Sequence, residues 1–345
     1  VPGAAVVSAL RVGIDISAIP FGRGVSRYTS NLVTTLAARP QIELVLFGAV
    51  GKNWSELKTW SKLLRGQPGY RALPIPPAWL ESVWKLLGQS GLELFAPGSD
   101  VIHIWEWQAP PKLRQPWVVT IHDLAHLLFP ETAHPEVVRR FQALLSRIES
   151  DPSAHVIAVS ESTKHDIVRL TTIDPSRITV VLEALPIEAT YTPSKMEVKS
   201  TLKKLGLVRP YFLFVGTSEP RKNLPRVIAA WQKVAESKGY DLVLAGAKGW
   251  DHLPQTAGLR ELGYVAADEL ACLYRGATGL VFPTLYEGFG LPVLEAFFHD
   301  CPVVTSRVSS LPEVAGEALE HEPLPLGDIE PLCGCLLYTS DAADE

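Results

Sequence analysis

The sequence predicts an α/β protein with two doubly wound parallel sheets. Short apolar strands alternate with amphipathic helices along most of the chain, which is the pattern of parallel sheets covered by helices. Val101–Trp105 and Trp117–Ile121 are continuous apolar runs, as in strands buried on both faces. Glu188–Lys195 interrupts the alternation as a linker, and the same plan starts again after it. A chain of 345 residues therefore divides into two domains.

The composition is that of a soluble globular protein, with 47% apolar and 20% charged residues. No apolar run reaches the ~18 residues of a membrane span, and the first nine residues lack the basic start and long apolar core of a signal peptide. The four cysteines have no metal-ligand spacing and are too few for a disulfide framework, which favours a reducing, cytoplasmic setting. The net charge of −5 argues against a nucleic-acid-binding protein.

The last eleven residues, CLLYTSDAADE, are similar to the in-frame translation of a sequencing adaptor. The chain also begins without Met. We therefore expect a fragment of a longer reading frame, cut near Gly334, with an adaptor-derived tail over residues 335–345.

The first half opens like a nucleotide-binding unit. Strand Leu10–Ile16 is followed by a loop with Gly22 and Gly24, a helix over about Val25–Ala38 and strand Ile42–Phe47. The loop sequence FGRGVS departs from G-x-G-x-x-G, so the signal for a nicotinamide or flavin cofactor is weak. The two glycines either form a plain turn or let the backbone approach a ligand.

Residues 51–90 are basic within an acidic chain. Six Lys and Arg residues stand against two Glu residues, a net charge of +4, and five Trp and Tyr residues are interleaved with them. This mixture suits weak, peripheral contact with an anionic membrane surface. A solvated face with its aromatic side chains packed inward explains the same pattern.

Histidines follow two buried strands, at the edge where open α/β sheets bind ligands. His103 has the pattern of a structural histidine. His122, between Ile121 and Asp123 at the end of a strand, favours a functional role in hydrogen bonding or proton transfer. The rest of this half is predicted as helices over about Pro135–Ile148 and Glu161–Leu170, with Ser160 as a helix cap, and strands His155–Ser160 and Ile178–Leu182.

The second half repeats the alternation and carries two adjacent cations. Arg221 and Lys222 follow a strand and a Gly216 turn, and they precede a helix opened by Pro225. Such a pair suits a diphosphate, although two solvated loop cations are the plainer interpretation. The predicted elements are a helix over about Met196–Leu205, strands Tyr211–Val215, Leu242–Gly246, Leu259–Val265 and Pro302–Ser306, and helices to about Glu236 and over about Asp268–Ala277.

A glycine turn lies between the predicted strand Gly279–Pro283 and a helix that starts at Leu291 or Pro292. Its sequence, EGFG, is flanked by the carboxylates of Glu287 and Glu295. Backbone N–H groups at such a turn and helix start offer an anion site, and a tight turn with a dipole-complementing glutamate is the plainer alternative. Because both loops open at the same sheet edge, Arg221 and Lys222 are expected beside the turn, which favours the anion site.

These stretches resemble the retaining nucleotide-sugar glycosyltransferases of glycosyltransferase family 4. The resemblance covers about residues 10–320 and rests on the segments FLFVGTSEPRKNLPRVIAAW, GYVAADELACLYRGATGLVFPTLYEGFGLPVLEAF and PVVTSRVSSLPEVAG, with VGIDIS, GRGVSRYTSNL, DVIH, TIHDL and VIAVSES matching more loosely. It implies the GT-B fold, two Rossmann-like domains facing a cleft. We expect an acceptor-side domain over residues 10–192 and a nucleotide-sugar-binding domain, incomplete at its end, over residues 193–334.

The resemblance also implies roles for individual residues. Arg221 and Lys222 would bind the donor diphosphate and stabilise the leaving group, without a metal ion. Glu287 would contact the sugar hydroxyls and Glu295 the ribose. The remaining expected contacts are His122 beside the donor sugar, Gly24 near the phosphate or acceptor, Gly216, Tyr264 and Val265 around the nucleotide, and the turn residues Gly288, Phe289, Gly290 and Leu291.

The implied reaction is transfer of a hexose, with retention, from a nucleoside-diphosphate sugar to a glycan or lipid-linked acceptor in cell-envelope or exopolysaccharide synthesis. The likeness to bacterial mannosyltransferases favours GDP-mannose, with UDP-sugars next, and no separate cofactor is expected. Alternatives are a nucleotide-sugar epimerase or hydrolase on the same fold, or a degenerate binding module. The expected location is cytoplasmic, with peripheral contact at the inner face of the plasma membrane. Glu183 and Ala184 replace the Asn-Gly pair frequent in the family, which puts any ligand contact there in doubt.

Overall fold

The computed structural model describes residues 9–316 except 23, 88–90, 248 and 250–255, together with 332, 333 and 336. The chain divides into an N-terminal unit, Val1–Val159 and Lys164–Val181, and a C-terminal unit, Ser160–Thr163 and Leu182–Glu345. The main division thus falls at 181/182, and the predicted domain boundary falls at 192/193. The predicted tail 335–345 lies outside the described residues except for Leu336.

The N-terminal unit contains a seven-stranded parallel sheet. Its strands are β1 (Leu10–Asp15), β2 (Ile42–Phe47), β3 (Gly69–Tyr70), β4 (Val101–Ile104), β5 (Trp117–Ile121), β6 (Ala154–Ala158) and β7 (Ile178–Val180). They pair in the order β3-β2-β1-β4-β5-β6-β7. The order reverses between β1 and β4, which makes this pair the switch point where doubly wound sheets place ligands.

Helices α1 to α7 accompany this sheet. They are α1 (Gly24–Ala37), α2 (Trp54–Leu63), α3 (Leu80–Leu87), α4 (Gly91–Phe95), α5 (Ala125–Leu128), α6 (Pro135–Glu149) and α7 (Glu161–Leu170). One core cluster contains Trp84, Trp117 and Phe141, and a second contains Val33 and Leu46. The strand faces are therefore covered by apolar side chains, as the continuous apolar runs predict.

The C-terminal unit contains a five-stranded parallel sheet. Its strands are β8 (Tyr211–Val215), β9 (Asp241–Ala245), β10 (Leu259–Gly263), β11 (Gly279–Phe282) and β12 (Val303–Thr305), and its helices are α8 (Lys195–Lys204), α9 (Leu224–Lys238), α10 (Ala267–Gly276), α11 (Leu291–Phe298) and α12 (Leu311–Ala315). The pairing order is β10-β9-β8-β11-β12, so this sheet has its switch point between β8 and β11. The predicted pair of doubly wound sheets is confirmed.

Residues 51–87 contain more regular secondary structure than their composition alone indicates. They contain α2, α3 and the short strand β3, for which the sequence pattern gave no separate prediction. Trp84 is 2% exposed, and the Trp54 indole N–H donates to the Ala72 carbonyl at 2.7 Å. Trp79 is 62% exposed. Within the described residues, no helix is both long and apolar enough to cross a bilayer.

Gly48 allows a close approach between β1 and β2. Its φ of +125° belongs to a region that only glycine adopts readily, and a Cβ there would overlap the Asp15 carboxylate and the Ser17 hydroxyl. The Ser17 amide donates to Asp15 Oδ1 at 2.9 Å, and the Ala49 amide donates to Ser17 Oγ at 2.8 Å. Gly48 therefore fixes where the Asp15 carboxylate lies.

We predict that Gly48→Ala destabilises the N-terminal unit by about 2–4 kcal/mol, because backbone strain adds to the overlap with Asp15 and Ser17. Gly22→Ala is the matched control. Gly22 also has a positive φ, +65°, but a Cβ there meets no atom within 4 Å, so the cost is about 1 kcal/mol. Urea unfolding of both variants measures the difference. Equal losses would contradict the overlap argument.

Candidate active site

The C-terminal switch point brings three of the predicted site residues together. Arg221 and Lys222 lie in a short 3₁₀ helix after β8, and Glu287 lies in the loop after β11. Lys222 Nζ forms an ion pair with Glu287 Oε1, and Arg221 Nη1 lies 3.3 Å from Glu287 Oε2. The Thr284 hydroxyl donates to Glu287 Oε1 at 3.0 Å. Lys222 and Glu287 are 8% and 7% exposed, so this is a buried ionic cluster.

Burial and charge act in opposite directions on these groups. Burial alone would raise the pKa of Glu287, but the adjacent Lys222 and Arg221 cations outweigh it and hold that pKa below its usual value. Burial, reinforced by Arg221, lowers the pKa of Lys222 against the attraction of Glu287. Arg221 also pairs with Glu219 at 3.1 Å. A lysine ammonium has three donors, so the pairing with Glu287 leaves Lys222 able to bind phosphate oxygens as well.

The glycine turn is held by serine hydroxyls that sequence reasoning did not single out. The Glu287 amide donates to Ser309 Oγ at 2.9 Å, and the Ser310 hydroxyl donates to the Glu287 and Phe289 carbonyls at 2.9 and 2.8 Å. The sequence signal for these contacts is the serine pair in the segment SSLPEVAG, because serine side chains after a strand commonly form hydrogen bonds with the backbone of a loop. Of the amide groups of the turn, these bonds use only that of Glu287.

Helix α11 begins directly after the turn, and amide groups at this junction are available to bind a ligand. Gly290 caps the helix with φ +106°, and Leu291 is the first helical residue. Among the described residues, the amides of Gly288, Phe289 and Gly290 donate to no protein acceptor. Amides at a helix start attract an anion, so the geometry agrees with the predicted anion site.

Glu295 contacts an aromatic side chain of α10. It is 2% exposed, and the Tyr274 hydroxyl donates to its Oε2 at 3.0 Å. The Tyr274 ring stacks on His299 with centroids 5.7 Å apart. The role of Glu295 on the ribose stays a prediction, and Tyr274 is the contact that the sequence did not reveal.

The other predicted nucleotide contacts differ in exposure. Tyr264 is 82% exposed, and Val265 is a partly buried residue at the edge of the core. Gly216 follows β8 with φ +145°, and a Cβ there would lie 3.7 Å from the Lys222 Cε. That distance is an ordinary contact, so it is the positive φ that favours glycine at position 216. The nucleotide contacts themselves stay predictions.

In the N-terminal unit, His122 follows β5 and Gly24 begins α1. The His122 amide donates to Glu106 Oε2 at 2.9 Å, and the Tyr28 ring meets the imidazole edge to face at 4.7 Å. Gly24 is exposed. His103 is half-buried and its Nε2 lies 3.0 Å from Thr120 Oγ1, which agrees with the structural histidine predicted for it.

A small cavity, the N-terminal recess, opens beside His122. Its lining includes Asp15, Tyr28, Trp105, Glu106, Thr120 and His122, and it has space for about one water molecule. Burial raises the pKa of Asp15 to about 6 and that of Glu106 to about 7, the latter against the lowering effect of His122. Burial and the nearby His122 lower the pKa of His103 to about 4. Sequence reasoning missed Glu106, because an acid between two tryptophans gives no separate signal.

Comparison with known proteins identifies the family. A profile described as Glycosyl transferases group 1 matches residues 209–331, and one described as Glycosyltransferase Family 4 matches residues 22–188. The O-antigen chain mannosyltransferase B of Escherichia coli is 34% identical over 327 residues, which is 86% of this chain and 81% of that protein. The chain belongs to glycosyltransferase family 4. The predicted family and the assignment as a sugar transferase are confirmed.

One further relative and two solved structures are similar to this chain. The O-antigen chain mannosyltransferase RfbU of Salmonella typhimurium is 28% identical over 57% of this chain and 53% of its own. Sucrose-phosphate synthase from Thermosynechococcus elongatus has a TM-score of 0.68 at 17% identity, over 95% of this chain and 89% of its own. Anabaena HepE in complex with UDP-glucose has a TM-score of 0.68 at 15% identity, and the match covers 97% of this chain and 90% of the HepE chain. These two structures confirm the GT-B fold.

Across the described ranges, no three His, Cys, Asp or Glu side chains are grouped as metal ligands. Independence from metal stays a prediction of the family resemblance.

We predict that Glu106→Gln removes a pH dependence of stability from this glycosyltransferase. The folded pKa of about 7 exceeds the usual 4.5, so the folded state holds the Glu106 proton more tightly than the unfolded state does. That contribution is fully present below pH ~4.5 and is lost as the pH rises through about 7. The unfolding midpoint of the wild type should fall across this window more steeply than that of Glu106→Gln.

Glu131→Gln, which changes an exposed carboxylate, is the matched control and should follow the wild type. Parallel curves for the wild type and Glu106→Gln between pH 4.5 and 7 would show that Glu106 does not titrate in this window.

Proposed function

We propose that this glycosyltransferase transfers a mannosyl residue, with retention, from GDP-mannose to a glycan or lipid-linked acceptor of a cell-surface polysaccharide. The single observation that carries the proposal is the buried cluster of Arg221, Lys222 and Glu287 beside the glycine turn. The similarity to the Escherichia coli O-antigen mannosyltransferase supports mannose as the sugar. UDP-sugars are the next donor class.

The residues of the cluster would contact different parts of the donor. Arg221 and Lys222 are the cations that would neutralise charge developing on the leaving diphosphate, which is where transition-state stabilisation has most effect. Glu287, held by both cations, is an acceptor for the sugar hydroxyls. The amides of Gly288, Phe289 and Gly290 would supply further donors at the start of α11.

Retention does not require a carboxylate nucleophile in this proposal. Retaining hydrolases use such a nucleophile, but Glu287 is engaged by Lys222, Arg221 and Thr284, and Glu295 is engaged by Tyr274. The leaving phosphate itself would help to deprotonate the acceptor hydroxyl on the same face of the sugar. The roles of His122, Gly24 and Glu295 in this reaction remain predictions of the resemblance.

Peripheral binding to an anionic membrane would bring the enzyme to a lipid-linked acceptor. Exposed cations and apolar side chains occur together in residues 51–90: Leu63 is 81% exposed, Trp79 62% and Leu86 86%, and Lys58 and Lys62 are exposed as well. Basic and apolar groups of this kind bind anionic surfaces weakly and in a salt-dependent way.

We predict that Lys222→Ala lowers mannosyl transfer by about 100-fold or more, because a cation on the leaving diphosphate is lost. The assay follows labelled mannose from GDP-mannose into mannose-terminated oligosaccharides and lipid extracts, with UDP- and ADP-sugars as alternative donors. Consumption of donor only when acceptor is added separates transfer from hydrolysis or epimerisation.

Two measurements support the interpretation of Lys222→Ala. Lys203→Ala changes an exposed lysine on α8 and should keep wild-type activity. GDP should raise the unfolding temperature of the wild type but not of Lys222→Ala, since only a bound ligand stabilises the folded state. Wild-type transfer by a folded Lys222→Ala enzyme would refute the proposed function.

We predict salt-sensitive co-sedimentation with vesicles that contain anionic lipid. The double variant Lys58→Ala with Lys62→Ala should bind about 30-fold less, since each cation near an anionic surface contributes about 1 kcal/mol and 1.4 kcal/mol is a factor of about ten. Lys203→Ala is the control. Equal binding to neutral and anionic vesicles would rule out the membrane contact.

A further inference from the structure

Two buried hydroxyl groups contact the glycine turn of the C-terminal unit. Ser160 and Thr163 form this hydroxyl pair; they are 0% and 1% exposed, and both belong to the same unit as the turn. The Ser160 hydroxyl donates to the Gly288 carbonyl at 2.7 Å, and the Thr163 hydroxyl donates to the same oxygen at 3.2 Å. Because a carbonyl oxygen has two lone pairs, the hydroxyl pair satisfies this carbonyl of the turn completely.

The capping role predicted for Ser160 accounts for only part of this arrangement. The Thr163 amide donates to Ser160 Oγ at 3.0 Å, as expected of a residue that caps α7. A capping hydroxyl needs only to accept a hydrogen bond, so its own proton is not required by the cap. Here that proton is donated to Gly288, which lies 128 residues further along the chain. The contact with the turn is therefore separate from the cap.

The first turn of α7 is itself held within the C-terminal unit. Glu313, in α12, accepts hydrogen bonds from the Glu161 amide at 2.8 Å and from the Ser162 amide at 2.7 Å. A carboxylate at the start of a helix also interacts favourably with the helix dipole. These two bonds fix the backbone between Ser160 and Thr163, and with it the position of the hydroxyl pair.

The hydroxyl pair sets the direction of an amide group as well as that of a carbonyl. In a planar trans peptide the C=O and the following N–H point in opposite directions, and the described residues contain no cis peptide bond. The bonds to the Gly288 carbonyl therefore turn the Phe289 amide away from the hydroxyl pair. Ser310 donates to the two neighbouring carbonyls, those of Glu287 and Phe289. It thus fixes the amides of Gly288 and Gly290 in the same way.

The three amides directed in this way need an acceptor from outside the protein. Gly288, Phe289 and Gly290 are buried, and among the described residues their amides donate to no protein acceptor. An unpaired buried amide costs free energy comparable to a lost hydrogen bond, so these groups favour an occupant that accepts. The next residue back, Glu287, is paired with Lys222, which places a cation beside the turn. Amides together with a cation suit an oxygen of a diphosphate.

We propose that Ser160 and Thr163 are positioning residues that direct the Phe289 amide toward the diphosphate of the donor. Neither hydroxyl touches the donor. Both act through the peptide that joins Gly288 to Phe289. This inference rests on the proposed function, because it takes the occupant of the turn to be a nucleoside diphosphate. It gives the hydroxyl pair a role in donor binding beyond the cap of α7.

Thr163→Val tests the hydroxyl pair with little change of shape, since a methyl group replaces the hydroxyl. Calorimetry on the full chain with GDP and UDP should show binding weakened by about 5–10-fold, the effect of one misdirected hydrogen bond to a charged group. Guanosine and uridine, which have no phosphate, should bind to the variant as to the wild type in ligand-observed NMR. Thr163→Ser keeps the hydroxyl and should restore nucleotide binding.

A second variant and a control complete the test. Ser160→Gly removes the other hydroxyl but costs the helix cap only a few tenths of a kcal/mol, so it keeps the test decisive if Thr163→Val does not fold. It should weaken GDP and UDP binding in the same selective way. Ser162→Ala removes a neighbouring hydroxyl from α7 and should bind every ligand as the wild type does.

Three results would overturn the positioning role. The first is wild-type affinity of both Thr163→Val and Ser160→Gly for GDP and UDP. The second is an equal loss of nucleotide and nucleoside binding, which would show that the hydroxyl pair only maintains the fold. The third is a wild type that binds neither nucleotide.

Sugar transfer separates this inference from the proposed function. Thr163→Val should lower kcat/KM by about 5–10-fold or more, with a fall in kcat, because negative charge develops on the diphosphate in the transition state. Selective loss of nucleotide binding in a protein that transfers no sugar would refute the proposed function and leave the positioning role standing. Transfer by Thr163→Val with the kcat/KM of the wild type would refute the positioning role alone.

Discussion

The buried ion pair between Lys222 and Glu287 is the interaction on which the candidate site depends. Two buried charges are costly to desolvate, and they are tolerated because Arg221 and Thr284 complete their coordination. The pair can form only if β8 and β11 are neighbours, since each strand delivers one partner to the same sheet edge. The candidate site therefore depends on the strand order of the C-terminal unit.

Much of this dependence on strand order can be predicted from the sequence. Alternating apolar strands and helices predict doubly wound sheets, and a parallel sheet places the loops after β8 and β11 at one edge. Arg221, Lys222 and Glu287 could be grouped on that basis before any contact was known. The contact between Tyr274 and Glu295 could not, because Tyr274 has the apolar spacing of an ordinary core residue within α10.

The N-terminal recess illustrates why other features escape sequence reasoning. Asp15 is distant in the chain from the adjacent residues Trp105 and Glu106, and all three lie at or just after the end of a strand. Asp15 and Trp105 stand out because each has a buried polar atom without a protein partner among the described residues, which is a property of packing and not of sequence spacing. Residues 51–90 pose the opposite problem: composition predicts a basic, tryptophan-rich segment, but only the fold separates buried Trp84 from exposed Trp79.

The pairing of Arg221 with Glu219 and of Lys222 with Glu287 gives two cations and two carboxylates, so these four side chains carry no net charge. Four side chains with no net charge produce only a weak electrostatic field beyond their immediate neighbours. Small anions such as phosphate or sulfate would therefore not be attracted to them from a distance. Selection then happens at close range, where phosphate oxygens of a ligand would bind the ammonium donors that the pairing of Lys222 with Glu287 leaves open. Ionic strength should therefore affect the rate of donor capture only weakly.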